Sequence, residues 1–331
     1  MRAVVFERHG DPAHTVFLTE LPLPDTPPGT VRVRLLSRPI NPSDVMFVEG
    51  EYGREAQFVP VEGRRPVSPA GFEGAGRVDR VGPGVSLEPG SLVAVAVTGT
   101  WQEYVTAPLD AVVPLPHDLP LDTACQFTVN PFTAHLLLAD LRLEAGDALL
   151  LTAGTSTVGR MLMCLARRRG VRCICLARDS GQEARLKDLG VELTVSAEDH
   201  AAVEKVRDLA GAPGVAAALD AVGGQQGALA LTCVRDGGRH VVYGSLSGRP
   251  LPVPPALPLF HGISVEGFWL PRHLEKLDAP ALRELTSTIA RQLADHTLAA
   301  PVEAHYDLAD VHRALAHHAR PGRSGKIVLT G

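Results

Sequence analysis

Ala148-Leu149-Leu150-Leu151-Thr152-Ala153-Gly154-Thr155-Ser156-Thr157-Val158-Gly159 is the stretch that decides the fold. An apolar run over 148–153 reads as a buried strand, the small residues after it as a loop, and 158–169 as a helix. Where a strand feeds a helix in this way, the helix start offers unpaired N–H groups and the positive end of its dipole. A pyrophosphate can sit there if small residues let the backbone come close. The dinucleotide fingerprint G-x-G-x-x-G is met only in part, because Ser156 and Thr157 stand where glycines are common. The spacing alone equally fits an ordinary tight turn; the strand–loop–helix context favours phosphate.

Working outward, a second strand over 172–177 precedes a helix over 181–189, which ends at Gly190, a left-handed C-cap residue. Further strands are expected at 191–195, 216–220, 239–244 and 263–268, with helices between them. A helix over 123–139, capped by Asp122, comes before. Continuous apolar strands alternating with helices imply a doubly wound parallel sheet covered on both faces. The first 120 residues differ: short apolar runs at 3–6, 31–35 and 92–97 lie between Pro and Gly clusters, as in a barrel-like β unit. Helices at 279–294 and 308–318 and a closing strand at 326–329 complete the chain, the strand returning to the β-rich unit. The strand over 172–177 ends at Arg178-Asp179. An acid there binds the ribose 2′-OH of NAD, and an arginine pairs with the 2′-phosphate of NADP, so spacing leaves both open.

With 331 residues, 45% hydrophobic and 21% charged, the chain has room for two domains with a sizeable core. A net charge of −5 argues against nucleic-acid or acidic-membrane partners, and Arg167-Arg168-Arg169 reads as a solvated helix end. No window of 18 apolar residues offers a membrane span, and MRAVVFERHG reads as a strand and not as a signal peptide. Five cysteines, an odd number in apolar surroundings, fit reduced thiols in a cytoplasm. Cys173 and Cys175 share a face, but no second pair has ligand spacing, so zinc is not expected there.

Seven segments in order carry a family resemblance: Ile40-Asn41-Pro42-Ser43-Asp44; Glu49-Gly50-Glu51-Tyr52; Gly71-Phe72-Glu73-Gly74-Ala75-Gly76; Val129-Asn130-Pro131-Phe132-Thr133-Ala134; the loop at 153–159; Tyr243-Gly244-Ser245 with Gly267-Phe268-Trp269-Leu270; and Gly325-Lys326-Ile327-Val328-Leu329. In these the chain resembles the zinc-independent medium-chain dehydrogenases/reductases, most narrowly the mitochondrial-type 2-enoyl-thioester reductases. The resemblance implies an α/β chain: a GroES-like β-rich catalytic domain (1–121 and 271–331) and an inserted Rossmann NADP-binding domain (122–270), with NADPH in the cleft between them. It implies a small-molecule substrate and a homodimer through the edge near 263–270.

Carried over by resemblance, Tyr52 is the catalytic proton donor or substrate contact. The cofactor contacts fall on Asn41, Asn130, Thr133, Thr155, Ser156, Thr157, Val158, Arg178, Tyr243, Gly244, Ser245, Phe268, Trp269, Leu270 and Lys326, the lysine reaching the NADPH phosphates. Ser245 and Leu246 depart from the family's Tyr-Gly-Gly-Met, and Gly53 from the proline usual after the tyrosine. Zinc-dependent relatives use a Cys near residue 40 and a His-Glu after the Gly near 71; Asn41-Pro42 and Phe72-Glu73 stand there, so no metal is expected. Three activities follow as expectations: NADPH-dependent reduction of 2-enoyl thioesters first, quinone reduction second, and non-catalytic NADPH binding third.

Overall fold

The computed structural model describes residues 1–63, 65–188, 191, 193–298 and 301–331. The chain divides into two compact units: one of residues 1–129, 289–296 and 300–331, the other of 130–288 and 297–299.

The second unit is built on six parallel strands: Ala148–Thr152, Arg172–Ala177, Thr194–Ser196, Val215–Asp220, Val234–Val242 and Ser264–Gly267. Numbered along the chain, they lie in the order 3-2-1-4-5-6, the doubly wound arrangement whose strand order reverses between strands 1 and 4. Every residue of Ala148–Thr152 and of Val215–Asp220 is buried, so both faces of the central strands are covered. Leu149, Leu150 and Leu151 are wholly enclosed; each such side chain contributes about 1.5–3 kcal/mol.

The first unit holds a seven-stranded sheet and a three-stranded one. Thr30–Pro39 lies at the centre of the larger sheet, and the closing strand Lys326–Thr330 pairs antiparallel with its end, Val328 opposite Pro39. The C-terminus therefore does return to the β-rich unit. Among the described residues no helix is long and apolar enough to cross a membrane.

The structure also differs from the sequence reading in places. The helix expected over 123–139 is two, Leu121–Ala124 and Asn130–Leu141. Pro131 fits the first turn of a helix but not its interior, so the second helix begins beside it, and the Thr128 and Val129 amides bond to the Glu73 carboxyl group instead. That bonding also keeps 122–129 with the β-rich unit, while 271–288 fall with the parallel-sheet unit; both assignments move the expected boundaries. The strand expected over 239–244 runs from Val234 to Val242, which leaves Tyr243 as the first residue beyond it. The expected C-cap at Gly190 lies outside the described residues.

Candidate active site

Thr152 ends strand 1 and Asp220 ends strand 4, one on each side of the strand-order reversal, where ligands of open α/β sheets bind. The two are bonded directly, Thr152 Oγ1 donating to Asp220 Oδ1 at 2.9 Å, and Thr152 Oγ1 accepts from the Ala221 amide. Asp220 also accepts from the Val222 and Gly223 amides, and its Oδ2 lies 3.5 Å from His240 Nε2. Burial raises its pKa, but the hydrogen bonds from His240, Val222, Gly223 and Thr152 outweigh burial and hold the carboxyl below its ordinary range. The floor of the site is thus braced by an anion that the sequence reading did not single out. Its only signal was an acid closing an apolar strand ahead of Gly223-Gly224.

The loop above this floor explains its own sequence. A Cβ at Gly154 would stand 2.8 Å from Cys175 Sγ, and one at Gly159 would stand 2.7 Å from the Ala153 carbonyl oxygen. Only glycine fits at either position, and these are the two the fingerprint retains. Ala153 takes a left-handed φ of 51°, an uncommon conformation for a residue with a Cβ. Ser156 stands in a glycine position because it caps helix Thr157–Arg168, its Oγ accepting from the Gly159 amide at 3.0 Å. Thr155, Ser156, Thr157 and Val158 are half-buried at the start of a twelve-residue helix, whose first amides have no intrahelical acceptor. That is the chemistry of an anion site.

Arg178 lies just past strand 2, its side chain largely exposed and its Nε donating to Asp179 Oδ2 at 2.9 Å. Asp179 orients that guanidinium with one oxygen and caps helix Ser180–Asp188 with the other, through the Gln182 amide. An acid occupied in both ways is poorly placed to accept from a ribose hydroxyl, so the pair favours a 2′-phosphate. Gln182 reaches back to Thr155 Oγ1 at 3.2 Å and ties this corner to the loop.

Tyr243 donates its amide to the Asp220 carbonyl, and its buried phenol lies beside Ser156. Burial, with the Asp220 carboxylate and Cys175 nearby, raises that phenol's pKa, so it stays protonated. Gly244 packs its Cα against Ala221, where a Cβ would meet the carbonyl oxygen at 3.0 Å; Ser245 follows, exposed. Phe268 is buried and stacks on His273 at 4.0 Å, and the Arg272 guanidinium covers the Trp269 ring. Phe268 and Trp269 line a cavity of about 370 Å³, and Leu270 opens the short helix beside it. Asn130 and Thr133 lie one turn apart on helix Asn130–Leu141, both buried. The Asn130 Nδ2 donor has no hydrogen-bond partner among the described residues, an orphan that a nicotinamide end would satisfy.

Tyr52 belongs to the β-rich unit. Helix Pro42–Glu49 stops at Gly50, whose φ of 84° turns the chain, and Tyr52 follows half-buried. Its ring packs on Phe72 at 5.0 Å; Phe72 packs on Phe47 at 4.9 Å, and the Arg54 guanidinium rests over Phe72 at 5.7 Å.

Two expected cofactor contacts are spent elsewhere. Asn41 is 1% exposed, with Nδ2 donating to Glu73 Oε1 at 2.8 Å and Oδ1 accepting from Lys326 Nζ. Lys326 is 7% exposed, not a surface lysine. Burial pulls its pKa down to about 8, against the attraction of Glu73 and Asp44.

Comparison with known proteins agrees with this geometry. Residues 27–117 match the alcohol dehydrogenase GroES-like domain, and 157–287 match the zinc-binding dehydrogenase family. The human mitochondrial enoyl-[acyl-carrier-protein] reductase is 32% identical over the whole of this chain and 88% of its own length. The chain belongs to the medium-chain dehydrogenase/reductase superfamily, in its enoyl-thioester-reductase-like branch. Among solved structures, a protein assigned as an NADPH:quinone reductase from Bacillus thuringiensis superposes with a TM-score of 0.90 at 29% identity, covering all of this chain and 98% of that one. The Etr1p/NADP/crotonyl-CoA complex superposes at 0.85 with 25% identity, covering 100% and 99%.

The β-rich unit of this reductase family member is therefore GroES-like, and its parallel-sheet unit is Rossmann-like. At two of the positions where zinc-dependent members place ligands, this chain has Asn41 and Phe72-Glu73, with the Asn41 amide bonded to the Glu73 carboxyl group. Among the described residues no three His, Cys, Asp or Glu side chains converge as a metal site needs.

Proposed function

We propose that this chain is an NADPH-dependent reductase of activated C=C bonds whose favoured substrates are 2-enoyl thioesters. One observation carries the reading: a glycine-walled, serine-capped helix start beside Arg178, at the strand-order reversal of a Rossmann-like sheet. Bound there, NADPH supplies a hydride for the β-carbon. The residues of the chain do the rest. Loop amides at 155–158 hold the diphosphate, Arg178 meets the 2′-phosphate, and Asn130 with Thr133 orients the nicotinamide end. As negative charge grows on the thioester oxygen, the Tyr52 phenol donates to it and delivers the proton that the α-carbon needs. Solvent then reprotonates the phenolate. A phenol suits this role because it remains protonated near neutral pH.

The test is NADPH oxidation with a panel of enoyl-CoAs and quinones, with Tyr52→Phe beside the wild type. We expect enoyl-CoA to be the better acceptor and Tyr52→Phe to lower its turnover about 100-fold, with NADPH binding unchanged. Quinone reduction is the second reading, favoured by the likeness to the Bacillus thuringiensis protein; faster turnover of an ortho-quinone, indifferent to Tyr52→Phe, selects it. We further propose a homodimer. Strand Ser264–Gly267 is an edge of its sheet, and Val265, Leu259 and Phe260 near it are 38%, 70% and 77% exposed, an apolar edge that a second copy would cover. A reducing compartment such as the cytoplasm suits the five free thiols.

A further inference from the structure

A buried polar cluster in the β-rich unit has no part in the chemistry just described. Glu73, Asn41 and Asp44 are at most 1% exposed, and Lys326 and Thr128 are 7% exposed. Glu73 Oε1 accepts from Asn41 Nδ2 at 2.8 Å, and its Oε2 accepts from the Thr128 amide, the Thr128 hydroxyl and the Val129 amide at 3.0–3.1 Å. Lys326 Nζ donates to Asn41 Oδ1, and Asp44 Oδ2 accepts from the Asn41 amide at 2.7 Å. Burying three ionisable groups is costly, and well-packed apolar residues would do as well for stability alone.

The cluster meets the mounting of Tyr52 at two places. Asn41 is the N-cap of helix Pro42–Glu49, whose far end launches Tyr52. Phe72, on which the Tyr52 ring lies, is joined by a peptide bond to Glu73 and packs on Phe47 of that same helix. The Glu73–Asn41 bond therefore ties the strand beneath the phenol to the start of the helix that carries it. Burial raises the Glu73 pKa, and the Lys326 ammonium nearby opposes that rise.

We propose that Glu73 is a positioning residue for proton donation by Tyr52, acting through its bond to Asn41 and through Phe72. The inference rests on the reading of Tyr52 as donor. Glu73→Asp keeps a carboxyl group in the cluster but withdraws it by one C–C bond, ~1.5 Å. A misplacement of that order costs about 10–100-fold in rate. The expected result is a fall of that size in the single-turnover rate with an enoyl-CoA, with a larger solvent deuterium isotope effect. The enoyl-CoA KM and the NADPH Kd should stay near their wild-type values. A role in stability alone lowers the active fraction and leaves the isotope effect unchanged; that result, or a wild-type rate, overturns the proposal. Should Glu73→Asp not fold, Asn41→Ser carries the same test. Serine caps a helix as well as asparagine but is too short to reach Glu73, and Glu73 and Lys326 themselves are untouched. Tyr52→Phe in the same assay separates the two ideas. If it slows turnover while the Glu73 and Asn41 variants do not, the positioning role falls and the donor stands; if it is silent, both fall.

Discussion

Gly159→Ala puts the phosphate-loop argument at risk most directly. An alanine Cβ there would lie 2.7 Å from the Ala153 carbonyl oxygen and 2.9 Å from both Cα and O of Gly154. All three are backbone atoms, so no side chain can swing aside. The first turn of helix Thr157–Arg168 must withdraw by about 0.5–1 Å to restore ordinary van der Waals separation. Overpacking of this kind costs about 1–3 kcal/mol. The shift also loosens the Ser156 cap on the Gly159 amide, worth about 1 kcal/mol. Together these should lower the Tm of the parallel-sheet unit by roughly 5–15 °C. A withdrawn helix start also misdirects the amides meant for the diphosphate. Losing one charge-assisted bond, about 1.5–3 kcal/mol, weakens NADPH about 10–100-fold. Calorimetry and NADPH fluorescence titration read the two effects separately, and Ser156→Ala supplies the cap contribution by itself. A lowered Tm with wild-type NADPH affinity would refute the anion-site reading; an unchanged Tm would refute the packing argument beneath it.

Arg178→Ala should weaken NADPH about 10-fold or more while leaving NADH unchanged; equal losses for both would remove the 2′-phosphate assignment. Lys326→Met should leave the NADPH Kd unchanged, because the ammonium is committed to Asn41; a 10-fold weakening in a folded variant would return Lys326 to the phosphates. Stability against pH should show a trough near pH 7–8. Asp44, raised to about 7 mainly by burial, contributes stability present below its ordinary 3.8 and lost as pH rises through 7. Lys326, lowered to about 8, contributes stability present above 10.5 and lost as pH falls through 8. Denaturant midpoints from pH 4 to 10 should lose the acid limb in Asp44→Asn and the alkaline limb in Lys326→Met. Val265→Lys, on the apolar sheet edge, should shift sedimentation from dimer to monomer; an unchanged dimer would place the interface elsewhere.

What the sequence disclosed follows the range of the forces involved. Strand Arg172–Ala177 and helix Ala279–Ala294 are set by local apolar periodicity, and both lie where the pattern puts them. The same holds for Gly159, whose need for space is decided within a few residues, whereas Gly154 is walled by Cys175 of the next strand. The break at 125–129 was not legible, because the carboxylate that takes the Thr128 and Val129 amides is 55 residues away. Lys326 and Asn41 lie 285 residues apart. No local pattern distinguishes a lysine that will be buried against an amide from one that will reach a phosphate. Arg178-Asp179 was legible as a pair but not as a choice. The choice rests on Asp179 also capping a helix, which only the fold reveals.

The fate of Lys326 changes where charge recognition must reside. With the Lys326 ammonium donated to Asn41 in the β-rich unit, the proposed site draws its positive charge from the parallel-sheet unit. That unit has the means. Besides the loop amides and Arg178, Arg160 is half-buried on the first turns of helix Thr157–Arg168, its Nε donating to the Thr155 carbonyl. Burial, and repulsion from the Arg185 guanidinium, lower the Arg160 pKa. In the reading proposed here, the β-rich unit supplies the phenol and the buried cluster bonded beneath it.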